Sequence, residues 1–201
     1  MKLIITGIGT DVGKTVVSAI FCKAFQLNYW KPVQAGDLQY SDTHKVAELS
    51  GANYLHELYR LNKPMSPHTA ALEDAIDIHL DDFQLPNEDH LLIEGAGGLM
   101  VPINQEGLTY IDVFEKWNLP VVLVSRHYLG SINHTLLSWE ALASRNIPML
   151  GIVFVGETHP NNRRIILEKT KLKVLAEIPE VDRVTPDFIA EQAQIVKNNF
   201  E

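Results

Sequence analysis

Close to its first residue the chain carries a glycine-rich segment, Gly-Ile-Gly-Thr-Asp-Val-Gly-Lys-Thr, at positions 7–15. Glycines allow backbone N–H groups to turn toward a bound anion, and a helix that begins at the lysine adds the positive end of its dipole. In such a segment Lys14 reaches the β- and γ-phosphates of a nucleoside triphosphate, and the Thr15 hydroxyl ligates Mg²⁺. The sequence therefore predicts a phosphate-binding loop that holds a nucleoside triphosphate with magnesium.

The spacing of the glycines departs from the usual phosphate-loop pattern in one place. The pattern G-x-x-x-x-G-K-[ST] requires glycine at position 8, which is Ile8 here, whereas Gly7 and Gly9 lie on either side of it. The apolar run at residues 3–6 and the helical pattern that follows Lys14 still supply the strand–loop–helix context that the motif needs. A glycine-rich turn without a ligand is the alternative interpretation.

Two carboxylates are candidates for completing a magnesium site. Glu94 follows the apolar run 90–93 and precedes a flexible glycine turn at 95–98, where it is placed to ligate Mg²⁺ or to orient its water. Its alternative role is to cap that turn. Asp42 lies at the start of the helix predicted over residues 41–50, where a purely electrostatic role at the helix N-terminus competes with metal binding.

A lysine and a helix start supply two further candidate anion sites. Lys31 ends the predicted second strand, and beside the phosphate loop it would neutralise charge on a transferring phosphoryl group. Taken alone, it is more typical of a surface lysine. Residues 130–133 follow a strand and begin a helix, so their N–H groups suit a carboxylate, and a plain N-cap at Ser131 is the alternative.

Short apolar runs alternate with amphipathic stretches along the chain. This alternation predicts an α/β fold of three layers, a mainly parallel sheet with helices on both faces, of the P-loop NTPase type. Ligands in such folds bind at the carboxyl ends of the strands, so chemistry is expected in the loops that follow them. The predicted strands are 3–6, 29–33, 90–94, 121–125, 149–155 and 173–176. The predicted helices are 14–27, 41–50, 66–74, 131–145, 162–170 and 186–198.

Composition restricts the partners of the protein. The 201 residues suit one domain, taken as 1–201, and a formal net charge of −8 argues against nucleic-acid binding, which needs a basic face. No apolar run approaches the roughly 20 residues of a membrane span, and the N-terminus lacks the apolar core of a signal peptide. Cys22 is the only cysteine and is predicted to be a core residue, so a reducing, cytoplasmic location is expected.

Several short motifs follow one another in a specific order. They are GIGTDVGKT at 7–15, KPVQAG at 31–36, SD at 41–42, SPH at 66–68, EGAGG at 94–98, LGSINH at 129–134 and EIP at 177–179. Together they resemble the dethiobiotin synthetase family over most of the chain length. The phosphate loop alone is shared by many NTPases, whereas EGAGG followed by LGSINH at this distance is specific.

The resemblance implies an ATP- and Mg²⁺-dependent ligase that closes the ureido ring of biotin's precursor. Its substrates would be 7,8-diaminononanoate, CO₂ and ATP. In that family CO₂ forms a carbamate on one amine, and a carbamate oxygen attacks the γ-phosphate of ATP. The second amine then attacks the mixed carbamic–phosphoric anhydride, which releases phosphate and dethiobiotin.

Residue roles and a homodimer with interfacial active sites are also implied by the resemblance, the helix start of one subunit holding the substrate carboxylate at its partner's site. The implied catalytic residues are Lys14, Lys31 and Thr10, and the implied magnesium ligands are Thr15, Asp42 and Glu94. The implied nucleotide-binding residues are Asp11, Val12, Gly13, Lys14, Thr15, Val16, Asp42, Glu94, Gly95, Ala96, Gly97, Ile178, Pro179 and Glu180. The implied substrate-binding residues are Ala35, Gly97, Gly130, Ser131, Ile132 and Asn133.

The chain shows three departures from what is common in that family. Ala35 stands where a serine is frequent, so a hydroxyl contact to substrate is lost or supplied elsewhere. Val155 and Gly156 stand where many members carry an asparagine that reads adenine, so weak selectivity for the nucleotide base is expected. Asp11 replaces a glutamate conservatively.

Three other classes of protein share parts of this pattern. A partitioning or septum-positioning ATPase usually carries an extra lysine near the start of its loop, where this chain reads Thr6-Gly7-Ile8. An amide-forming ligase of the cobyrinate-diamide class needs an ammonia-supplying domain, for which 201 residues leave no room. A non-catalytic nucleotide-binding subunit remains the third alternative, because Ala35 and Val155 weaken two binding positions.

Overall fold

A central sheet of six parallel strands organises the computed structural model, which describes residues 1–200. The strand order is β2-β5-β1-β6-β7-β8, and β3 and β4 pair with each other in a separate parallel sheet of two strands. The strands are β1 (Lys2–Gly7), β2 (Asn28–Trp30), β3 (Val33–Ala35), β4 (Tyr59–Leu61), β5 (Leu91–Gly98), β6 (Val121–Arg126), β7 (Met149–Val155) and β8 (Val174–Ile178).

Seven α-helices and one short 3-10 turn connect these strands within the described part of the chain. The helices are α1 (Lys14–Phe25), α2 (Asp42–Ser50), α3 (Pro67–Glu73), α4 (Tyr110–Trp117), α5 (Ser131–Ser144), α6 (Pro160–Thr170) and α7 (Pro186–Phe200), and the 3-10 turn is Leu80–Asp82. None of the helices in residues 1–200 has both the length and the hydropathy that crossing a membrane requires.

The sheet is covered on both faces, as the sequence predicts. Along β1, Leu3 and Ile5 pack with residues of α1 and α7, whereas Ile4 packs with residues of α4 on the opposite face. Because successive side chains of a strand point to opposite sides, this division shows that two separate hydrophobic cores lie above and below the sheet. The single cysteine, Cys22, is buried in the first of these cores, which confirms its predicted packing role.

The predicted strand over residues 29–33 is wrong as a single element. β2 ends at Trp30, and Val33 begins β3 in the smaller sheet, so that Lys31 and Pro32 form a break between two sheets. Proline has no N–H to donate to a ladder, and its carbonyl instead accepts from the Tyr59 amide at 2.9 Å. This break leaves Lys31 immediately beyond the end of β2, an edge strand of the six-stranded sheet.

Other differences concern elements that are longer than predicted or not predicted at all. β5 continues through Gly98, so Glu94 lies within a strand rather than at its end, opposite Ile5 of β1. The sequence analysis does not predict α4 or β4, although buried residues of α4 recur at helical spacing. Helix α6 begins at Pro160, two residues earlier than predicted, because proline is well suited to the first turn.

Candidate active site

Glu94 is the centre of a buried network of hydrogen bonds beneath the phosphate loop. Its side chain is 1% exposed, and its Oε1 accepts from the Thr15 hydroxyl at 3.0 Å. Its Oε2 accepts from the Ser18 hydroxyl at 2.7 Å and from the Tyr29 hydroxyl at 3.0 Å. The strand therefore delivers a carboxylate directly to the first turn of α1, and the alternative role of Glu94 as a turn cap is wrong.

Lys31 lies between the two candidate carboxylates. Its Nζ donates to Asp42 Oδ2 and is 3.8 Å from Glu94 Oε1. Its side chain is only 7% exposed, so it is not a surface lysine. Burial alone would raise the pKa of Asp42, but Lys31, and then Lys45 at 3.2 Å, lower it below its ordinary value. Asp42 is thus a carboxylate at neutral pH and is aimed at the site.

The loop lysine, Lys14, is buried, and its ammonium group donates a hydrogen bond to a backbone carbonyl. Its Nζ donates to the Gly9 carbonyl at 2.7 Å, within the loop itself. Burial lowers the pKa of Lys14 from its ordinary 10.5 to about 8; attraction by Glu94 opposes this, and repulsion by Lys31 adds to it. A buried ammonium group with a single carbonyl partner is stabilised when a triphosphate, which carries several negative charges, binds beside it.

The backbone geometry explains the glycine that precedes α1 and shows how closely the end of β5 approaches the loop. Gly13 has φ +95° and immediately precedes α1, a conformation that side chains disfavour. A Cβ added to Gly98 would be 3.6 Å from the Gly9 Cα, so the end of β5 approaches the loop at backbone distance. The neighbouring Gly97 lies close to the Thr10 hydroxyl, 3.7 Å from where its Cβ would be. The EGAGG segment therefore lies directly beside the phosphate loop.

On the other side of the loop, Arg126 links it to the segment after β8. Its Nη1 donates to the Asp11 carbonyl at 3.3 Å, and its Nη2 donates to Glu180 Oε1 at 2.6 Å. The Gly156 amide donates to the Ile178 carbonyl at 3.0 Å. Val155 packs against Gly13, since a Cβ on that glycine would be 3.1 Å from Val155 Cγ1. The ends of β6 and β7 and the segment after β8 thus border this side of the loop.

The start of α5 is a separate feature. Gly130, with φ +100°, is the N-cap, and Ser131 is the first helical residue. Ser131 is fully buried and its hydroxyl has no hydrogen-bond partner, so the alternative in which Ser131 caps the helix is wrong. Within residues 1–200, no side-chain hydrogen bond joins this helix start to Lys14, Lys31, Asp42 or Glu94.

The structure brings most of the predicted site residues into one region and leaves others at its border. Direct contacts link four of them, namely Thr15, Glu94, Lys31 and Asp42. The fifth, Lys14, is close enough for the charges of Glu94, Lys31 and Asp42 to change its pKa. The remaining predicted residues lie around this region or apart from it. Val12 and Val16 pack in the core under the loop, and Gly95 and Ala96 lie on β5 beside it. Ala35 is half-buried on β3, Pro179 follows β8, Ile132 packs in a small cluster with Phe154, and Asn133 is exposed on α5.

Three residues of the site were not predicted from the sequence. Ser18 lies three positions after Thr15 on α1, and residues at that spacing share a helix face, which is the signal that identifies it. Arg126 ends β6, and the rule that ligands bind beyond strand ends points to it. Tyr29 gives no such signal, because its role depends on the lateral pairing of β2 with β5.

The donor set at this place fits magnesium. Two carboxylates and one hydroxyl are hard oxygen ligands, which Mg²⁺ prefers, and Mg²⁺ is commonly held by one or two carboxylates together with substrate phosphates. Across residues 1–200, no three histidine, cysteine, aspartate or glutamate side chains are grouped closely enough to hold a metal by themselves. A cation bound here would complete its coordination with water molecules or phosphate oxygens.

Comparison with solved structures shows the fold. A ParA family ATPase from Chlorobium tepidum superposes with a TM-score of 0.59 at 14% identity, covering 99% of this chain and 90% of that one. The septum site-determining protein MinD from Pyrococcus horikoshii, complexed with Mg-ADP, gives a TM-score of 0.56 at 16% identity, covering 99% and 95%. At such low identity the similarity establishes the three-layer α/β architecture of P-loop NTPases and nothing about activity.

Comparison of sequences is more specific. A family model described as an AAA domain matches residues 1–187. The chain is 52% identical over 180 residues to an ATP-dependent dethiobiotin synthetase from Christiangramia forsetii, covering 88% of this chain and 86% of the relative. It is 49% identical over 185 residues to an ATP-dependent dethiobiotin synthetase from Rhodopseudomonas palustris, covering 90% and 88%. At this identity over most of both partners, the chain belongs to the ATP-dependent dethiobiotin synthetase family.

Proposed function

We propose that this protein closes the ureido ring of dethiobiotin from 7,8-diaminononanoate and CO₂ in an ATP- and Mg²⁺-dependent reaction. A carbamate formed on one amine attacks the γ-phosphate of ATP and displaces ADP. The second amine then attacks the carbonyl carbon of the carbamic–phosphoric anhydride, phosphate leaves, and the ring closes. The observation that carries this proposal is the convergence of Lys14, Lys31, Thr15, Asp42 and Glu94 beneath one phosphate loop.

Thr15, Asp42 and Glu94 are the proposed magnesium ligands. When bound, the ion neutralises negative charge on the phosphate oxygens as the γ-phosphoryl group is transferred. Glu94 Oε1 and Asp42 already converge, because both lie within reach of the Lys31 ammonium. The network holds these oxygens in place before the nucleotide arrives, which reduces reorganisation during the reaction.

Lys14 and Lys31 have different proposed roles. Lys14 emerges from the loop and neutralises charge on the transferred phosphoryl group, and Lys31 stabilises the carbamate and the phosphate that it attacks. The Thr10 hydroxyl, close to Gly97, lines the space between loop and substrate. No general base is required if the amine enters neutral, so catalysis depends on positioning and charge neutralisation.

The substrate carboxylate is assigned to the start of α5 in a partner subunit of a homodimer. The fourteen-residue helix presents backbone N–H groups at its N-terminus that have no partner within the helix, and these suit a carboxylate. Exposed apolar side chains lie around it, with Leu129 fully exposed and Leu137 57% exposed. Such a surface supports an interface between copies of the chain. The proposed location is the cytoplasm, where the thiol of Cys22 remains reduced.

Mixing two inactive variants tests the interfacial site. Lys14→Met removes the loop cation, and Asn133→Asp places a negative charge at the exposed helix start, where it repels the substrate carboxylate. If sites are shared between subunits, the mixed dimer contains one site with neither defect. Equal amounts are then expected to recover about a quarter of wild-type activity after subunit exchange. A mixture as inactive as its components, in a sample shown by light scattering to be dimeric, contradicts the shared site.

Product analysis tests the reaction itself and the selectivity for the base. Incubation with 7,8-diaminononanoate, bicarbonate, Mg²⁺ and ATP is expected to give dethiobiotin, detected by mass spectrometry. ATP hydrolysis without dethiobiotin would favour a partitioning-type ATPase.

GTP and CTP are expected to support kcat/KM values within about tenfold of ATP, because Val155 packs on Gly13 and presents no amide to a base. A preference for ATP above about 100-fold would show that other groups recognise adenine.

A further inference from the structure

The two carboxylate oxygens of Glu94 accept hydrogen bonds from different sides. Oε2 accepts from Ser18 and Tyr29, which are both fully buried, whereas Oε1 accepts from Thr15 and faces Lys31. A carboxylate oxygen has about two acceptor positions. Two donors therefore occupy Oε2 completely, and Oε1 keeps one position open on the side of the phosphate loop.

We propose that Tyr29 and Ser18 are positioning residues that hold Glu94 Oε2 from the buried side and so direct Oε1 toward the magnesium ion. The inference rests on the proposed role of Glu94 as a magnesium ligand. It assigns a function to two hydroxyl groups that bind neither nucleotide nor substrate. Partners behind a metal-ligating carboxylate fix its orientation and commonly change metal affinity when they are removed.

The surroundings of Glu94 make these two donors hard to replace. The carboxylate is 1% exposed, so bulk solvent offers no ready replacement for a missing hydroxyl donor. The donors come from different elements, Ser18 from α1 and Tyr29 from β2, and they fix the side chain from two directions. Burial, followed by the charge of Glu94, raises the pKa of Tyr29, so its hydroxyl keeps its proton and remains a donor.

Magnesium affinity is the measurement that separates positioning from simple stabilisation. In Tyr29→Phe and Ser18→Ala, the Mg²⁺ concentration that half-saturates binding of a non-hydrolysable ATP analogue is expected to rise about tenfold, measured by calorimetry. Affinity for the analogue without Mg²⁺ is expected to stay unchanged, because neither hydroxyl touches the phosphates. Tyr59→Phe and Ser50→Ala are matched controls, since Tyr59 donates to Asp82 and Ser50 to the Val46 carbonyl, outside the site.

A third variant, Glu94→Gln, distinguishes failure of this inference from failure of the proposed function. If Glu94→Gln weakens Mg²⁺ binding and both hydroxyl variants behave like the controls, Tyr29 and Ser18 do not position the ligand. If the hydroxyl variants lose analogue affinity equally with and without Mg²⁺, their role is structural and the inference is overturned. If Glu94→Gln itself binds Mg²⁺ like the wild type, the proposed magnesium role of Glu94 is wrong.

Discussion

Replacing Lys14 with methionine is expected to abolish dethiobiotin formation and, at the same time, to make the fold more stable. Turnover should fall by at least about 10³-fold, because the loop loses the cation that meets the transferred phosphoryl group. Methionine keeps an unbranched side chain of similar length, so the buried stem of Lys14 retains its packing. The two effects have opposite signs because the charge of Lys14 serves the reaction and opposes folding.

The sign of the stability effect follows from the pKa of Lys14. Burial lowers this pKa from 10.5 in the unfolded chain to about 8, so between these values the unfolded state binds more protons than the folded state. The free energy of unfolding therefore rises with pH across this window, and the full cost of the buried charge is present below about pH 8. At about 1.4 kcal/mol per pKa unit, Lys14→Met should gain up to roughly 3 kcal/mol at pH 7.

Urea unfolding of wild type and Lys14→Met at pH 7 and at pH 10.5 measures this effect. The variant should unfold at higher urea at pH 7, and the difference should shrink at the higher pH. Product formation is followed by mass spectrometry on the same samples. Near-normal product formation by the variant would show that the reaction does not need Lys14. A variant less stable than wild type at pH 7 would show that the buried charge of Lys14 does not destabilise the folded state.

The residues of the site differ in how far the sequence alone could place them. Lys14 and Thr15 lie in a contiguous motif whose geometry is local, so their position was predictable from spacing. Glu94 is far from Lys31 and Asp42 in the chain, and the parallel pairing of β2 with β5 brings them together. Taken alone, Lys31 and Asp42 matched ordinary surface and helix-start residues. The family resemblance, rather than any local pattern, joined them into one site.

The break at Lys31 and Pro32 shows what a local pattern cannot predict. Residues 29–33 read as one strand, yet Trp30 and Val33 belong to different sheets. Whether a chain continues along a sheet edge or leaves it depends on the partner strand, which here is β4, a segment without a sequence signal of its own. The same kind of lateral pairing places Tyr29 against Glu94. The tertiary pairing, more than propensity, determines these positions.

Fold similarity and sequence similarity answer different questions for this chain. The ParA and MinD structures share its architecture, so architecture alone does not separate a ligase from a nucleotide-dependent switch. The relatives that share about half of its residues are dethiobiotin synthetases. We expect the distinction between the classes to depend on Lys31 and on the start of α5, so replacement of these residues is informative.

Replacing Lys31 with methionine is expected to reduce both stability and activity, in contrast to Lys14→Met. Lys31 is paired with Asp42 and lies 3.8 Å from Glu94, so its removal leaves two carboxylates without a shared cation in a largely buried place. Removing one partner of a buried ion pair typically costs about 3–5 kcal/mol. Product formation should fall by about 10²–10³-fold, because the carbamate and the γ-phosphate lose a fixed positive charge.

A double variant and a surface control separate these two losses. Lys31→Met combined with Asp42→Asn removes the pair together, so urea unfolding should recover a large part of the lost stability while product formation stays low. Lys45→Met removes the more exposed partner of Asp42 and should change the free energy of unfolding by less than about 1 kcal/mol. If Lys31→Met were as stable as Lys45→Met, the buried lysine would not hold the two carboxylates together. Full activity in Lys31→Met would show that the reaction does not need its charge.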